Sequence, residues 1–337
     1  MFIVGTILFV VLPCVLAAWV AYQFYLEHRS DRVPILLYHR LVSRAGADQA
    51  GRQDDEMIWA SYDTSFADQM NYLKEAGYTT LDFDDYLAVR DGRMPMPARP
   101  IIVTFDDGYS SNYELGYPVL KANGQKAVIY VALDPDEHTR NLVAGVDGWL
   151  SDAQMKELAT NGVAIQSHTL THCILNELPT EQARHELVES KRRLAEVTGR
   201  AVEHIAIPRA GYSRRIYRLV VEAGYKTACC NKKGTATGLS DPLALPRIVV
   251  ERDMTVAEFA SYLQPRAAFM LRLVGNLKRI PELIGGATFA SRVRKMLYRG
   301  PLKPLFKARN LKRAVPLVGA VYLVGCVWFI WSHFVRG

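Results

Sequence analysis

Two neighbouring carboxylates, Asp106 and Asp107, close the apolar run Ile101-Ile102-Val103-Thr104-Phe105. Adjacent carboxylates repel unless a cation or a shared proton relieves them. Asp-Asp-Gly is also ordinary turn chemistry, so this pair alone does not decide between a site and a turn. A second run, Val163-Ala164-Ile165-Gln166-Ser167, ends in His168-Thr169-Leu170-Thr171-His172. Two imidazoles four residues apart can converge on one ion, from a helical turn or from a tight loop. Together the two stretches supply three neutral or anionic ligands and a spare carboxylate. That is the inventory of an open catalytic metal site with room for water.

Elements must carry these groups to one place. Ile101–Phe105 is short, β-branched and preceded by Pro95, Pro97 and Pro100, which predicts a buried strand, and Gly108 lets the backbone turn after it. Val33–Tyr38 predicts a first strand ending at His39; 43–56 reads as a polar loop. Ser65–Gly77 predicts an amphipathic helix with Phe66, Met70 and Leu73 on one face. A turn and strand follow over 124–133, and Ser151 caps a helix to Asn161. The alternating charges of Glu181–Thr198 read as a solvated helix face. Further strands fit 202–207, 226–229 and 247–250, and a last helix fits 255–263, closed by Pro265. This strand–helix alternation implies an α/β fold with a parallel sheet closed as a barrel. Active sites of such barrels gather at the C-terminal strand ends, where Asp106, His168, His39 and Pro208 all fall.

The stretches Thr104-Phe105-Asp106-Asp107-Gly108 and His168-Thr169-Leu170-Thr171-His172 resemble the first and second motifs of the NodB-homology polysaccharide deacetylases, a carbohydrate esterase family. The likeness extends from about Val33 to Leu263 through Leu37-Tyr38-His39-Arg40, Phe66-Ala67-Asp68-Gln69-Met70 and Tyr72–Tyr78. These features look most like the branch acting on poly-N-acetylglucosamine. The resemblance implies a distorted (β/α) barrel and a metal-dependent N-deacetylase of N-acetylated amino sugars. Asp106 would be its catalytic base; Asp107, His168 and His172 would hold a divalent metal, Zn2+ being the first expectation. The third family motif corresponds to Ala206-Ile207-Pro208-Arg209-Ala210-Gly211-Tyr212, with Arg209 where an aromatic residue is usual. The Arg209 N–H would meet the oxyanion, and its side chain would face substrate or Asp106. Tyr109, Pro208, Gly211 and Tyr212 would bind substrate. The family's Leu-x-His near the domain end is here Leu245-Pro246-Arg247, so His39 becomes the candidate for protonating the leaving amine. An alternative reading is a weakly active, glycan-binding member of a polysaccharide synthesis complex.

The 337 residues allow one large domain with attachments, and half are hydrophobic. The net charge of +7 is uneven: 266–313 holds thirteen Lys/Arg and the single acid Glu282. The rest carries no basic stripe for nucleic acid. Five cysteines in no zinc-type spacing imply no disulfide framework. Phe2–Leu26 and Ala314–Phe334 are long apolar runs that predict transmembrane helices. The expected organisation is a transmembrane anchor over 1–28 and a deacetylase domain over 33–264. A basic amphipathic segment on anionic lipid (265–313) and a second transmembrane helix (314–337) follow. The placement of Lys and Arg then predicts a multi-pass protein of the inner (cytoplasmic) membrane with the domain facing the cytoplasm. In that setting the substrate is a polyprenyl-linked sugar or another N-acetylated envelope glycan. With the domain outside, it is a poly-N-acetylglucosamine-like exopolysaccharide.

Overall fold

The structure is a computed structural model describing residues 11–44, 60–137, 139–140, 147–210, 212–252 and 254–277. Two compact units divide the chain, Arg29–Gln264 and a second made of Met1–His28 with Pro265–Gly337.

Within Arg29–Gln264 the strands are short and rich in Val, Ile, Phe and Tyr: β1 (Ile35–Tyr38), β4 (Thr79–Thr80), β5 (Pro100–Phe105), β6 (Ala127–Val131), β7 (Val163–Ser167), β8 (His204–Ala206), β9 (Thr227–Lys233) and β10 (Leu245–Val249). They form one parallel sheet in the order β1-β10-β9-β8-β7-β6-β5-β4. A second pairing of β1 with β5, in register from Ile35↔Ile102 to Tyr38↔Phe105, closes the sheet into the expected (β/α) barrel. β2 (Arg40–Val42) and β3 (Ala60–Tyr62) pair in parallel as a separate ribbon.

Buried strand residues fill the barrel, Ile35, Ile102, Val128, Tyr130, Ala206, Cys229 and Leu245 forming one cluster with Phe83 and Tyr86. Helices cover the outside: α2 (Asp63–Glu75), α3 (Phe83–Arg90), α4 (Tyr117–Asn123), α5 (Asp152–Thr160), α6 (Thr180–Thr198), α7 (Arg214–Glu222) and α8 (Val256–Tyr262). α2 buries Phe66, Gln69, Met70 and Leu73, the i, i+3, i+4, i+7 stripe that the sequence pattern requires. Phe66 meets Tyr38 edge-on at 5.2 Å and Phe105 at 5.5 Å, so this helix packs directly under the strand that ends in the two carboxylates. Burying one such ring contributes roughly 1.5–3 kcal/mol. Ser151 and Thr255 cap α5 and α8 in reciprocal boxes with Gln154 and Glu258. α6 has the expected solvated face, with Glu181, His185, Arg192 and Glu196 exposed, and on its other face it buries Ala183, Glu186, Leu187, Ser190, Leu194 and Thr198.

In the other unit, α1 (Leu12–Glu27) packs on α9 (Pro265–Leu277), Phe24 meeting Phe269 edge-on at 5.5 Å. The expected multi-pass inner-membrane placement is corrected here. Among the described residues no helix is long and apolar enough to cross a membrane. Among the described residues α1 has 16 residues, which at 1.5 Å per residue reach about 24 Å, less than a hydrocarbon core of about 30 Å. Its last turns also carry polar groups committed within the unit: Glu27, fully buried, pairs with Arg272 at 2.5 Å, and Gln23 accepts from Asn276 at 3.3 Å. The start of the expected first span, the basic segment beyond Leu277 and the expected second span lie outside the described residues, as do the 45–56 part of the polar loop and Gly211.

Candidate active site

β5 delivers both carboxylates. The Asp106 N–H still donates to the Tyr38 carbonyl at 2.9 Å, continuing the ladder between β1 and β5. Asp107 then turns away at φ 78. Gly108 follows at φ 87, and a Cβ there would lie 2.9 Å from Val131 Cγ1, so glycine alone fits. Asp147 secures the next residues, accepting from Ser110 Oγ at 3.0 Å, Ser111 Oγ at 2.7 Å and the Gly148 N–H at 2.8 Å. Tyr109 stacks on Trp149 with ring centroids 4.9 Å apart.

β7 delivers the imidazoles. Asp107 Oδ1 stands 3.3 Å from His168 Nε2 and 3.2 Å from His172 Nε2. One ligand atom from each of these three residues lies within 4.8 Å of the others. The His168 Nδ1–H donates to the Ala206 carbonyl at 2.8 Å, which leaves Nε2 as the atom turned toward Asp107. Two ring nitrogens and a carboxylate oxygen around one point form a nitrogen–oxygen donor set with three protein ligands. That set fits a divalent cation with an open position. Without a cation the cluster asks for a proton instead: burial opposes charge on His168, but Asp106 and then Asp107 outweigh it and raise its pKa.

Asp106 has a different partner. Arg247, from β10, grips it with both terminal nitrogens, Nη1 on Oδ1 at 2.6 Å and Nη2 on Oδ2 at 2.7 Å. Asp106 is 3% exposed and Arg247 5%, so this is a buried bidentate pair. Burial works to raise the Asp106 pKa; Arg247 and then His168 overcome it, and the net direction is down. Asp106 Oδ2 also lies 3.9 Å from His168 Nε2, beside the ligand cluster but outside it. Tyr130 lies beneath the Arg247 guanidinium at 5.8 Å.

His39 follows β1 and feels both aspartates. Burial lowers its pKa, opposed by Asp107 and Asp106 and assisted by Arg247. After β8, Pro208 is buried and Arg209 adopts φ 48, ψ 31. The Arg209 side chain is exposed and donates to Thr139 Oγ1 at 3.2 Å, while Arg247 is the cation that holds Asp106. Tyr212 donates its hydroxyl to the Leu243 carbonyl. The structure thus brings Asp106, Asp107, His168, His172 and His39 together. Sequence reasoning missed Arg247, although an arginine inside the otherwise apolar Leu245–Val250 run was the available signal.

Residues 93–228 match the polysaccharide deacetylase family model. Over that span the chain is similar to the polysaccharide deacetylases. It is 27% identical over 248 residues to YxkH of Bacillus subtilis, a protein provisionally named a polysaccharide deacetylase, covering 74% of this chain and 80% of that one. A 68-residue stretch is 29% identical to the poly-β-1,6-N-acetyl-D-glucosamine N-deacetylase of Escherichia coli K12, covering 20% of this chain and only 10% of that protein. The fold matches the Streptococcus pyogenes deacetylase PplD, solved with acetate, at a TM-score of 0.62 and 22% identity over 70% of this chain and all of that one.

Proposed function

We propose that this domain is a metal-dependent hydrolase removing acetyl groups from N-acetylated amino sugars in a poly-N-acetylglucosamine-like glycan. The observation that carries the reading is the convergence of Asp107, His168 and His172 beside a separately held carboxylate, Asp106. An amide is a weak electrophile with a poor leaving group, so its hydrolysis needs a base, charge stabilisation and an acid. A divalent cation held by the three ligands, Zn2+ by the chemistry of the donor set, would supply Lewis acidity toward water and the acetyl carbonyl.

The chain's own residues do the rest. Asp106 takes the proton of the attacking water, and Arg247 keeps that carboxylate ionised and aimed. The left-handed turn at Arg209 offers its N–H to the oxyanion. Arg247, committed to Asp106, is no proton donor, so His39 delivers the proton to the departing amine. Acetate and a free amino sugar result, and the atoms of one water are divided between them. Tyr109, Pro208 and Tyr212 line the path of the sugar chain. With the multi-pass placement corrected, nothing favours a polyprenyl-linked carrier, and the polymer reading rests on the Escherichia coli relative.

The test is acetate release from β-1,6-linked N-acetylglucosamine oligomers by the full chain. Chelation should abolish it and Zn2+ restore it. Binding of the oligomers without acetate release under any metal would favour the glycan-binding reading instead.

A further inference from the structure

The turn that carries His172 is strained twice over. Thr169 sits at φ 66 and His172 at φ 61, conformations that cost a non-glycine residue free energy and persist only where the surroundings enforce them. Each backbone N–H from His168 to His172 has an identifiable acceptor. His168 N–H reaches the Val131 carbonyl at 2.9 Å, Thr169 N–H the Ser167 hydroxyl at 3.2 Å, and His172 N–H the Thr169 hydroxyl at 3.2 Å. The two between them, Leu170 and Thr171, both donate to a single oxygen, Glu186 Oε2, each at 2.9 Å. Thr171 Oγ1 adds a third bond, to Glu186 Oε1 at 2.8 Å. From the opposite side the Asp134 and Asp136 N–H groups take the Leu170 and Thr171 carbonyls at 2.8 and 3.2 Å. Glu186 is 7% exposed on the inner face of α6.

A buried carboxylate is costly unless its lone pairs are filled, and these are filled by three donors of the metal-binding turn. Conversely, removing it strands two N–H groups beside a histidine whose position depends on the turn. We propose that Glu186 is a positioning residue: it clamps the strained 169–172 turn so that His172 Nε2 stands opposite Asp107, preorganising the ligand set before any metal arrives. The inference rests on the metal reading above for its consequence, but the clamp itself is a property of the metal-free chain. Outer partners of this kind typically change metal affinity by roughly 10–100-fold.

The experiment compares the full-length wild type with Glu186→Ala, Glu186→Gln and, as control, Glu189→Ala on the same helix, where Glu189 pairs with Arg192 instead. Two readouts are taken: Zn2+ affinity by chelator competition, and hydrogen exchange of the Leu170 and Thr171 amides in metal-free protein. Glu186→Ala should weaken Zn2+ binding by roughly 10–100-fold and speed exchange at both amides. Glu186→Gln, which keeps one carbonyl oxygen for the two N–H groups, should fall between Ala and wild type, and Glu189→Ala should match wild type. Zn2+ affinity within about twofold of wild type in Glu186→Ala, or unchanged exchange, would overturn the proposal. Should the Ala variant not fold, Glu186→Gln is the deciding variant, and wild-type values in either readout overturn the clamp. A wild type that takes up no Zn2+ defeats the metal reading, and exchange alone then decides the clamp.

Discussion

At the N-terminal end of the barrel, six helix-to-strand turns each place a glycine at positive φ: Gly77, Gly92, Gly124, Gly162, Gly199 and Gly224. At the C-terminal end, beside Gly108, the same backbone region is occupied by Asp107, Thr169, His172 and Arg209. Five of those glycines have nothing within 4 Å of where a Cβ would stand, so they serve conformation alone. Where a side chain must carry chemistry, the fold accepts the cost of a left-handed residue and holds it with surrounding hydrogen bonds. The charges divide the same way. At the N-terminal end Lys126 bridges Asp82 and Asp85 at 3.1 and 2.5 Å with its side chain 42% exposed. At the C-terminal end Asp106 and Arg247 pair with side chains 5% and 6% exposed. One end is built for turning the chain and the other for holding groups where water would otherwise have them.

Arg247→Met is expected to have the largest effect on that contrast. It leaves Asp106 buried without its cation, a change that costs about 3–5 kcal/mol, read from urea unfolding midpoints. A loss under about 1 kcal/mol would put the buried pair in the class of exposed bridges and erase the distinction. Gly124→Ala tests the opposite end. Gly124 sits at φ 64 in open space, so the substitution should cost only about 1 kcal/mol and leave acetate release unchanged. A fall in activity would mean that the two ends are coupled.

Lys126→Met should be smallest, about 0.2–1 kcal/mol, because the pair is screened. Burial opposes the Lys126 charge, but its bonds to Asp85 and Asp82 prevail and raise its pKa above 10.5. A raised lysine contributes its stability below the unfolded pKa and loses it as pH rises through the folded one. The difference between Lys126→Met and wild type should therefore be present at pH 7 and shrink above about pH 10.5. A difference that grows with alkalinity would reverse the sign.

The two motif strands were legible because each is an apolar run that ends abruptly in ionisable residues, and a strand's end is where a parallel barrel exposes chemistry. Arg247 was not legible as the partner of Asp106. The two lie 141 residues apart, and only closure of β1 against both β5 and β10 brings them together. Glu186 was hidden by composition, since α6 reads as alternating charge and the pattern does not say which single acid turns inward. The apolar stretch near the start misled for a related reason. Hydropathy sums side chains without seeing that Glu27 is buried and meets Arg272.

The central claim is that Asp106 and Asp107, adjacent in sequence, do different work: one moves a proton and the other holds the metal. Paired measurement of bound Zn2+ and acetate release in Asp106→Asn and Asp107→Asn tests it directly. Asp106→Asn should keep its metal and lose roughly 10²–10⁴-fold in activity, whereas Asp107→Asn should lose the metal itself. Metal lost from Asp106→Asn and retained by Asp107→Asn would contradict the assignment and exchange the two roles.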